Sequence, residues 1–221
     1  MTQSHKITSE ILDIYPPNSQ LFMTEEAPAS FDLLPNEESL THTMGKKRLH
    51  EFRAGRYCMR MALAELSFIN ASILIGENRE PILPSNVVGS ISHCSNLAGA
   101  IAMKNTQINS IGIDIELSQG LEDRLIPIVC TSNEISNLHF SRDRNLNAML
   151  LFSIKESVYK CLNPLLGIWL EFHDLEIKLE DGNSYSVSFT KPEHSQINKH
   201  RFIGRYVVNN INIFTCCYAR K

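Results

Sequence analysis

Two acidic side chains in the middle of the chain have the spacing of a cation site. Asp114 and Glu116 lie two residues apart in segment 111–116, where isoleucines alternate with Gly112 and the two acids. This alternation predicts a strand, so both carboxylates lie on one face with their Cα atoms about 7 Å apart. Mg²⁺ prefers carboxylate oxygens, and Gly112 would leave room for a ligand on that face. A solvated acidic strand face is the alternative interpretation.

A second charged set has helical spacing. Glu156 and Lys160 are four residues apart, Phe152 lies one turn earlier in the same row, and Lys155 and Tyr159 form the neighbouring row. On a helix such a row shares one side, where a carboxylate can accept a proton and an ammonium can bind a phosphate. The order of Glu156 and Lys160 is also that of an ordinary surface ion pair.

Groups that could bind phosphate occur in the first half of the chain. Ser92 and His93 end a predicted strand, where a hydroxyl and an imidazole can both donate to a phosphate oxygen. Lys47, Arg48 and Arg53 belong to a predicted helix with a basic flank. A structural histidine and a solvated helix flank are the alternatives. The sequence contains no HExxH motif, nucleophile elbow or Gly-rich phosphate loop, so the signatures of zincins, α/β-hydrolases and P-loop proteins are missing.

The elements that must position these residues follow from the hydrophobic pattern. Apolar residues recur at helical intervals over 46–66 and 146–162, and Asn163-Pro164 would end the second helix. Segments 1–40 favour strands and turns, and 121–144 favours short helices and loops. Each half thus holds one long helix and several strands, which predicts an α+β fold. The predicted strands are 87–93 and 97–103, forming a hairpin, and then 111–116, 175–179, 185–189 and 211–218.

Bulk composition narrows the class of protein. The 221 residues are 43% hydrophobic and carry a formal net charge of −3, so we expect a folded core and no nucleic-acid partner. The sequence predicts neither a secretory signal nor a membrane span. The six cysteines are scattered without metal-site or disulfide spacing, which indicates reduced thiols in a cytoplasmic protein.

The order and wording of three segments resemble the successive signatures of the Sfp-type 4'-phosphopantetheinyl transferase superfamily. The segments are GSISH at 89–93, IGIDIE at 111–116 and FSIKESVYK at 152–160.

Two upstream segments look like the enterobactin synthase component D branch of that family. They are RLHEFRAGR at 48–56 and REPILP at 79–84. Phe152 and Leu83 stand where the family often has Trp, and residues 94–97 differ from the family wording after the histidine. These departures affect packing rather than charged groups, so they bear on substrate preference more than on the reaction.

The resemblance implies two similar α/β lobes with pseudo-two-fold symmetry and an active site in the cleft between them. Residues 1–108 would form the N-terminal lobe, which binds the nucleotide of coenzyme A. Residues 109–221 would form the C-terminal lobe, with the metal ligands, the catalytic helix and the docking surface for a carrier protein.

The resemblance also implies roles for the charged residues. Asp114, Glu116 and Glu156 would bind Mg²⁺, and Glu156, or a water held by the metal, would be the general base. Asp114, Glu156 and Lys160 would be the catalytic residues, with Lys160 contacting phosphate. The expected ligands of coenzyme A are Lys47, Arg48, Arg53, Arg79, Ser92, His93, Lys155 and Lys160.

The implied reaction moves the 4'-phosphopantetheine arm of coenzyme A onto a serine of an apo acyl or peptidyl carrier protein and releases 3',5'-ADP. It would activate a fatty acid, polyketide, nonribosomal peptide or siderophore pathway. The carrier protein would dock near 121–138, where Arg124 is the only cation, and a monomer is expected. The alternatives are a catalytically silent relative that binds coenzyme A or a carrier protein, and a Mg²⁺-dependent phosphodiesterase.

Overall fold

The computed structural model describes residues 8–138, 143–192, 197 and 201–221. The helices in these ranges are α1 (Ser9–Leu12), α2 (Pro35–Glu38), α3 (Lys46–Glu65), α4 (Ile126–Val129), α5 (Ser132–Leu138) and α6 (Arg144–Leu166), with a 3-10 turn at Phe172–Asp174. The strands are β1 (Gln20–Thr24), β2 (Leu74–Ile75), β3 (Pro81–Ile82), β4 (Val87–Cys94), β5 (Leu97–Lys104), β6 (Ile108–Leu117), β7 (Leu175–Glu180), β8 (Ser184–Phe189), β9 (Arg201–Val208) and β10 (Asn212–Arg220).

Two antiparallel sheets organise the chain. The first has the strand order β1-β5-β4 and the second the order β6-β10-β9-β8-β7, while β2 and β3 form a small ribbon. The predicted hairpin is the β4-β5 pair, which turns at Ser95 with φ of 52°. The mixture of helices and antiparallel sheets confirms the predicted α+β class.

The two faces of β5 explain how the layers stack. Its even-numbered alanines belong to a core with Ala54 and Met59 of α3, and small side chains let the helix approach the strand closely. Its odd-numbered face, including Ile101, belongs to a second core with the isoleucines of β6 and Phe214 of β10. A third core joins α6 to the opposite face of β10. The layers are therefore α3, first sheet, second sheet and α6.

The two sheets also meet edge to edge where β4 lies beside β6. The hydroxyls of Ser90 and Ser92 accept hydrogen bonds from the backbone N–H groups of Ile113 and Ile115, both at 3.2 Å. Serine side chains thus take the place of backbone carbonyls between these strands, and they satisfy buried N–H groups that would otherwise be costly. This seam connects the two halves of the molecule directly beside the predicted acidic site.

The alternation predicted for β6 is confirmed, but the role expected for Gly112 is wrong. The β6 isoleucines lie in the core between the sheets, and the other face turns to α6. A Cβ on Gly112 would overlap the carbonyl oxygen of Ser157 and the backbone nitrogen of Cys161. The missing side chain therefore makes room for the backbone of α6 rather than for a ligand.

The predicted end of α6 at Asn163-Pro164 is also wrong. The helix continues through Pro164 to Leu166 and ends at Gly167, which has φ of 63° and donates its N–H to the Asn163 carbonyl at 2.8 Å. Beyond the first turn of a helix, proline removes the hydrogen bond that its N–H would have donated. In the last turn that loss is small, and the left-handed glycine that follows is the effective stop signal.

Other elements depart from the sequence prediction as well. Strand β9 was not predicted, because its Gly204 and flanking arginines weaken the strand pattern. Gly204 is required there, since a Cβ would overlap the ring of Tyr185. The first forty residues contain the short helices α1 and α2 in addition to β1. Over the described ranges, no helix is both long enough and apolar enough to span a membrane.

We predict that Gly112→Ala destabilises the protein by about 1–3 kcal/mol, because the new methyl group must displace the backbone of α6. A loss of 1 kcal/mol lowers the thermal midpoint of a chain of this size by about 2–4 °C, so circular dichroism should detect the fall. Gly45→Ala is the control, since nothing lies within 4 Å of the Cβ it would add. Equal midpoints for the two variants would contradict this account of the β6-α6 contact.

Candidate active site

The buried carboxylate of Asp114 is the centre of the site. Its Oδ1 accepts hydrogen bonds from the Ser92 hydroxyl at 2.9 Å and from the Lys160 ammonium at 2.6 Å. Its Oδ2 accepts one from the Ser153 hydroxyl at 2.9 Å. Asp114 is 3% exposed, so these donors replace the water that an ionised carboxylate requires. The cluster joins β6, which carries the acid, to β4 and α6, which carry the donors.

The hydroxyl of Ser92 is fully occupied within this cluster. It donates to Asp114 and accepts from the Ile115 N–H at 3.2 Å and from Lys160 at 3.1 Å. One proton and two lone pairs are all that a hydroxyl offers. Ser92 was expected to contact coenzyme A, and the structure instead directs its side chain inward, where it holds Asp114 and Lys160.

The other two expected metal ligands, Glu116 and Glu156, lie close enough to Asp114 for its charge to affect their pKa values. Burial, followed by the negative charge of Asp114, raises the pKa of Glu116 to about 7. Burial likewise raises the pKa of Glu156, with Lys160 opposing this shift and Asp114 adding to it. The thiol of Cys94 donates to Glu116 Oε2 at 3.1 Å. These carboxylates therefore lie in a partly buried region where negative charges are close together.

The donor set fits a hard divalent cation by its chemistry. All three expected ligands are carboxylates, which Mg²⁺ prefers, and a cation beside them would favour their ionised forms. Within the described ranges, however, no three side chains of Asp, Glu, His or Cys converge closely enough to hold a metal ion as they stand. The positive charge in direct contact with Asp114 is the ammonium of Lys160.

A cavity of about 890 Å³ opens beside these charges, between the two halves of the molecule. Glu156 and Lys160 line it from α6, and Arg79 lines it from the turn between β2 and β3. Lys160 uses two N–H groups for Asp114 and Ser92. Its third N–H remains for a ligand in the cavity.

Part of the predicted basic cluster comes together at the start of α3. Arg48 Nη1 donates to Nε2 of His93 at 2.7 Å, and Glu51 Oε2 lies 3.7 Å from Nδ1 of the same ring. Burial lowers the pKa of His93, against the opposing effect of Glu51. Because Nε2 accepts from an arginine, the neutral ring carries its proton on Nδ1, facing Glu51.

The remaining cations of the cluster lie in different surroundings. Lys47 is exposed and 3.9 Å from Glu51, and Arg79 is exposed on the rim of the cavity. Arg53 donates to the carbonyl oxygen of Phe31 at 2.5 Å, which ties it to the N-terminal segment. The structure therefore pairs Arg48 with His93 and places Arg53 in a different contact.

Lys155 does not have the phosphate-binding geometry that was expected of it. Its side chain is 1% exposed, and its ammonium donates to Glu134 Oε2 at 2.7 Å and to the carbonyls of Val129 and Phe172, both at 2.9 Å. These bonds use all three N–H groups. Lys155 therefore joins α6 to α4, α5 and the 3-10 turn, and it has no donor left for a phosphate.

Sequence reasoning missed three residues that complete these contacts. Ser153 binds Asp114, Glu51 faces His93, and Glu134 neutralises Lys155. Ser153 was accessible to helical periodicity, since it lies one turn before Glu156 on the same side of α6. Glu51 also lies one turn from Arg48. Glu134 had no local signal, because its partner is on a different helix.

Two family models together match most of the chain. The 4'-phosphopantetheinyl transferase N-terminal domain matches residues 36–103, and the 4'-phosphopantetheinyl transferase superfamily matches residues 110–211. Together with the relatives described next, these matches show that the chain belongs to the 4'-phosphopantetheinyl transferase superfamily. The transferase class expected from the motifs is confirmed.

Three sequence relatives agree with this assignment. The 4'-phosphopantetheinyl transferase Svp of Streptomyces mobaraensis is 34% identical over 164 residues, covering 72% of this chain and 67% of that protein. Npt of Nocardia iowensis is 35% identical over 174 residues, covering 75% of each. Enterobactin synthase component D of Salmonella typhi is 37% identical over 133 residues, covering 59% of this chain and 54% of that protein. A solved holo-(acyl-carrier-protein) synthase of Bacillus anthracis is a distant match, with a TM-score of 0.42 and 18% identity over 52% of this chain and 99% of its own.

We predict that Lys155→Met lowers the free energy of unfolding by about 3–5 kcal/mol, because it leaves Glu134 buried without its counter-charge. Measured well below its lowered thermal midpoint, the variant should bind coenzyme A with an unchanged dissociation constant. The combined Lys155→Met and Glu134→Gln substitution should recover part of the lost stability, since no unpaired charge then remains. Normal stability with weaker coenzyme A binding would instead show that Lys155 is a phosphate ligand.

Proposed function

We propose that this chain transfers the 4'-phosphopantetheine arm of coenzyme A to a serine of an apo acyl or peptidyl carrier protein and releases 3',5'-ADP. The observation that carries the proposal is the Asp114-Lys160 ion pair beside the cavity between the two halves, with Glu116 and Glu156 adjoining it. In a member of this superfamily, these are the charged groups that phosphoryl transfer requires. The partner carrier and its pathway belong to the proposal as well.

The metal of the proposal is Mg²⁺, and Asp114, Glu116 and Glu156 are the residues that would hold it. A divalent cation bound there would supply positive charge to stabilise the pyrophosphate and help to orient it. The raised pKa values of Glu116 and Glu156 support this assignment, because their cause is burial together with the nearby charge of Asp114.

Glu156 is proposed as the general base. Its carboxylate lines the cavity, and burial raises its pKa above that of a solvated glutamate. A base with such a pKa can take the proton of the carrier serine. The serine oxygen then bonds to the phosphorus that carries pantetheine, and the bond from that phosphorus to the bridging oxygen breaks. The electron pair leaves with 3',5'-ADP.

Lys160 is proposed to stabilise the departing nucleotide. Asp114 and Ser92 fix two of its N–H groups, so the direction of the third is set before any ligand binds. A positive charge held in place near the bridging oxygen stabilises the negative charge that develops there. This preorganisation distinguishes Lys160 from a flexible surface lysine.

The nucleotide end of coenzyme A is assigned to the first half of the chain. Arg48, held against His93, is the first candidate for the 3'-phosphate, with Lys47 beside it and Arg79 on the cavity rim. Arginine suits this role because its guanidinium can bind a phosphate through two parallel N–H groups. Arg53 is a weaker candidate, since its guanidinium already donates to Phe31.

We also propose that the two lobes divide at residues 1–108 and 109–221, and that the carrier protein docks on 121–138 of the second. The two family matches fall on either side of this boundary. Ile128 is 59% exposed beside the cavity, which offers an apolar contact. Arg124 is already paired with Glu122 at 2.7 Å. A monomeric, cytoplasmic protein remains part of the same proposal.

The activity test uses the protein with Mg²⁺, coenzyme A and an apo carrier protein. We expect the intact mass of the carrier to rise by one phosphopantetheine, and to stay unchanged with a chelator or when the carrier serine is replaced by alanine. Glu156→Gln should slow transfer by about 10²–10⁴-fold through loss of the base. Glu171→Gln, which changes another carboxylate of the same cavity, should retain most of the rate. Equal rates for both variants would refute the role of Glu156.

A second expectation concerns the nucleotide. Arg48→Ala should weaken binding of coenzyme A by roughly tenfold to a hundredfold, which corresponds to about 1.5–3 kcal/mol for a charged hydrogen bond. Binding of dephospho-coenzyme A, which lacks the 3'-phosphate, should change much less. Isothermal titration of both ligands measures the difference, with Lys178→Ala at an exposed position of β7 as the control. Equal weakening of both ligands would place the 3'-phosphate site elsewhere.

A further inference from the structure

Two buried hydroxyls form a short chain that ends on Asp114. The Ser153 hydroxyl lies 2.9 Å from Asp114 Oδ2 and 3.1 Å from the hydroxyl of Thr215. Thr215 also lies 2.9 Å from the backbone carbonyl of Ser153. Both hydroxyl-bearing residues are 0% exposed, so water does not compete for these hydrogen bonds.

The direction of each hydrogen bond follows from counting protons. An ionised carboxylate only accepts, so the single proton of Ser153 goes to Asp114. The oxygen of Ser153 can then only accept from Thr215, whose proton is shared between the Ser153 hydroxyl and carbonyl oxygens. Neither hydroxyl is free to rotate without losing a bond. The chain therefore runs in one direction, from Thr215 through Ser153 to Asp114.

This chain of hydrogen bonds links the elements that carry the proposed reacting groups. Thr215 is the residue of β10 directly opposite Asp114 in the β6-β10 ladder. Ser153 lies on α6, one turn before Glu156 and two turns before Lys160. Two neighbouring strands and the catalytic helix are thus tied together at one carboxylate oxygen, while the other oxygen of Asp114 takes Lys160 and Ser92.

We propose that Ser153 and Thr215 are positioning residues, which fix the orientation of the Asp114 carboxylate for the cation. The inference rests on the proposed function, because it assigns these hydroxyls a role toward a metal ligand. Groups that orient metal ligands in this way influence metal affinity by about 10-fold to 100-fold in proteins. A purely structural pair of hydroxyls would change stability and leave metal affinity unaltered.

The protein offers a matched control that separates positioning of Asp114 from a purely structural role. Ser157 lies on the same helix, is also 0% exposed, and donates to the Ile154 carbonyl at 2.8 Å. Its hydroxyl lies 3.2 Å from that of Tyr185 and belongs to a separate set of hydrogen bonds from the one at Asp114. Removing it should disturb the packing of α6 to a similar extent without touching the carboxylate.

The experiment measures Mn²⁺ binding by electron paramagnetic resonance, with saturating 3',5'-ADP and with folding checked by circular dichroism. Ser153→Ala and Thr215→Val should raise the dissociation constant for Mn²⁺ about tenfold. Thr215→Ser keeps the hydroxyl and should bind Mn²⁺ as the unsubstituted protein does. Ser157→Ala should lower the thermal midpoint and leave Mn²⁺ affinity unchanged.

Three results would overturn the inference, and they have different meanings. Unchanged Mn²⁺ affinity in both Ser153→Ala and Thr215→Val would refute positioning while leaving the metal site intact. An equal loss of affinity in Ser157→Ala would show that general loosening of α6 is the cause. No Mn²⁺ binding by the unsubstituted protein would refute the metal assignment itself, independently of whether coenzyme A supports transfer to a carrier.

Discussion

The ionised carboxylate of Asp114, buried where β4, β6 and α6 meet, is the constraint on which the site depends. A buried charge is tolerated only when hydrogen bonds replace its hydration. Its donors are Ser92 from one half of the molecule and Ser153 and Lys160 from the other. The full set of donors therefore exists only where the two halves are packed together, so the contact between the halves and the site depend on the same hydrogen bonds.

Local periodicity predicted the direction of a side chain correctly where that direction depends on a single strand or helix. The alternation over 111–116 correctly separated the core isoleucines from the face with Asp114 and Glu116. Helical spacing correctly placed Glu156 and Lys160 on one side of α6, where both line the cavity. The roles predicted for these groups came from the family motifs, because periodicity alone carries no information about the reaction.

For other residues, the role depends on contacts with elements distant in the sequence, which local patterns do not reveal. Gly112 is equally consistent with space for a ligand and with close packing, and only the position of α6 distinguishes them. The sequence analysis predicted both Lys155 and Lys160 as ligands of coenzyme A. Five residues apart on a helix, they point about 140° away from each other. Glu134, 21 residues from Lys155 in the sequence, decides that one of the two lysines is buried and neutralised.

The same geometry explains why the two lysines have opposite electrostatic surroundings. Lys155 meets a carboxylate and two carbonyls that use every N–H group, so its charge is satisfied inside the protein. Lys160 stands among three carboxylates, and the pKa values of Glu116 and Glu156 are raised by burial and by the negative charge of Asp114. The proposed cation would balance these carboxylates, and the ammonium retains one N–H for an anion. A site with both properties is the one that the proposed phosphoryl transfer would require.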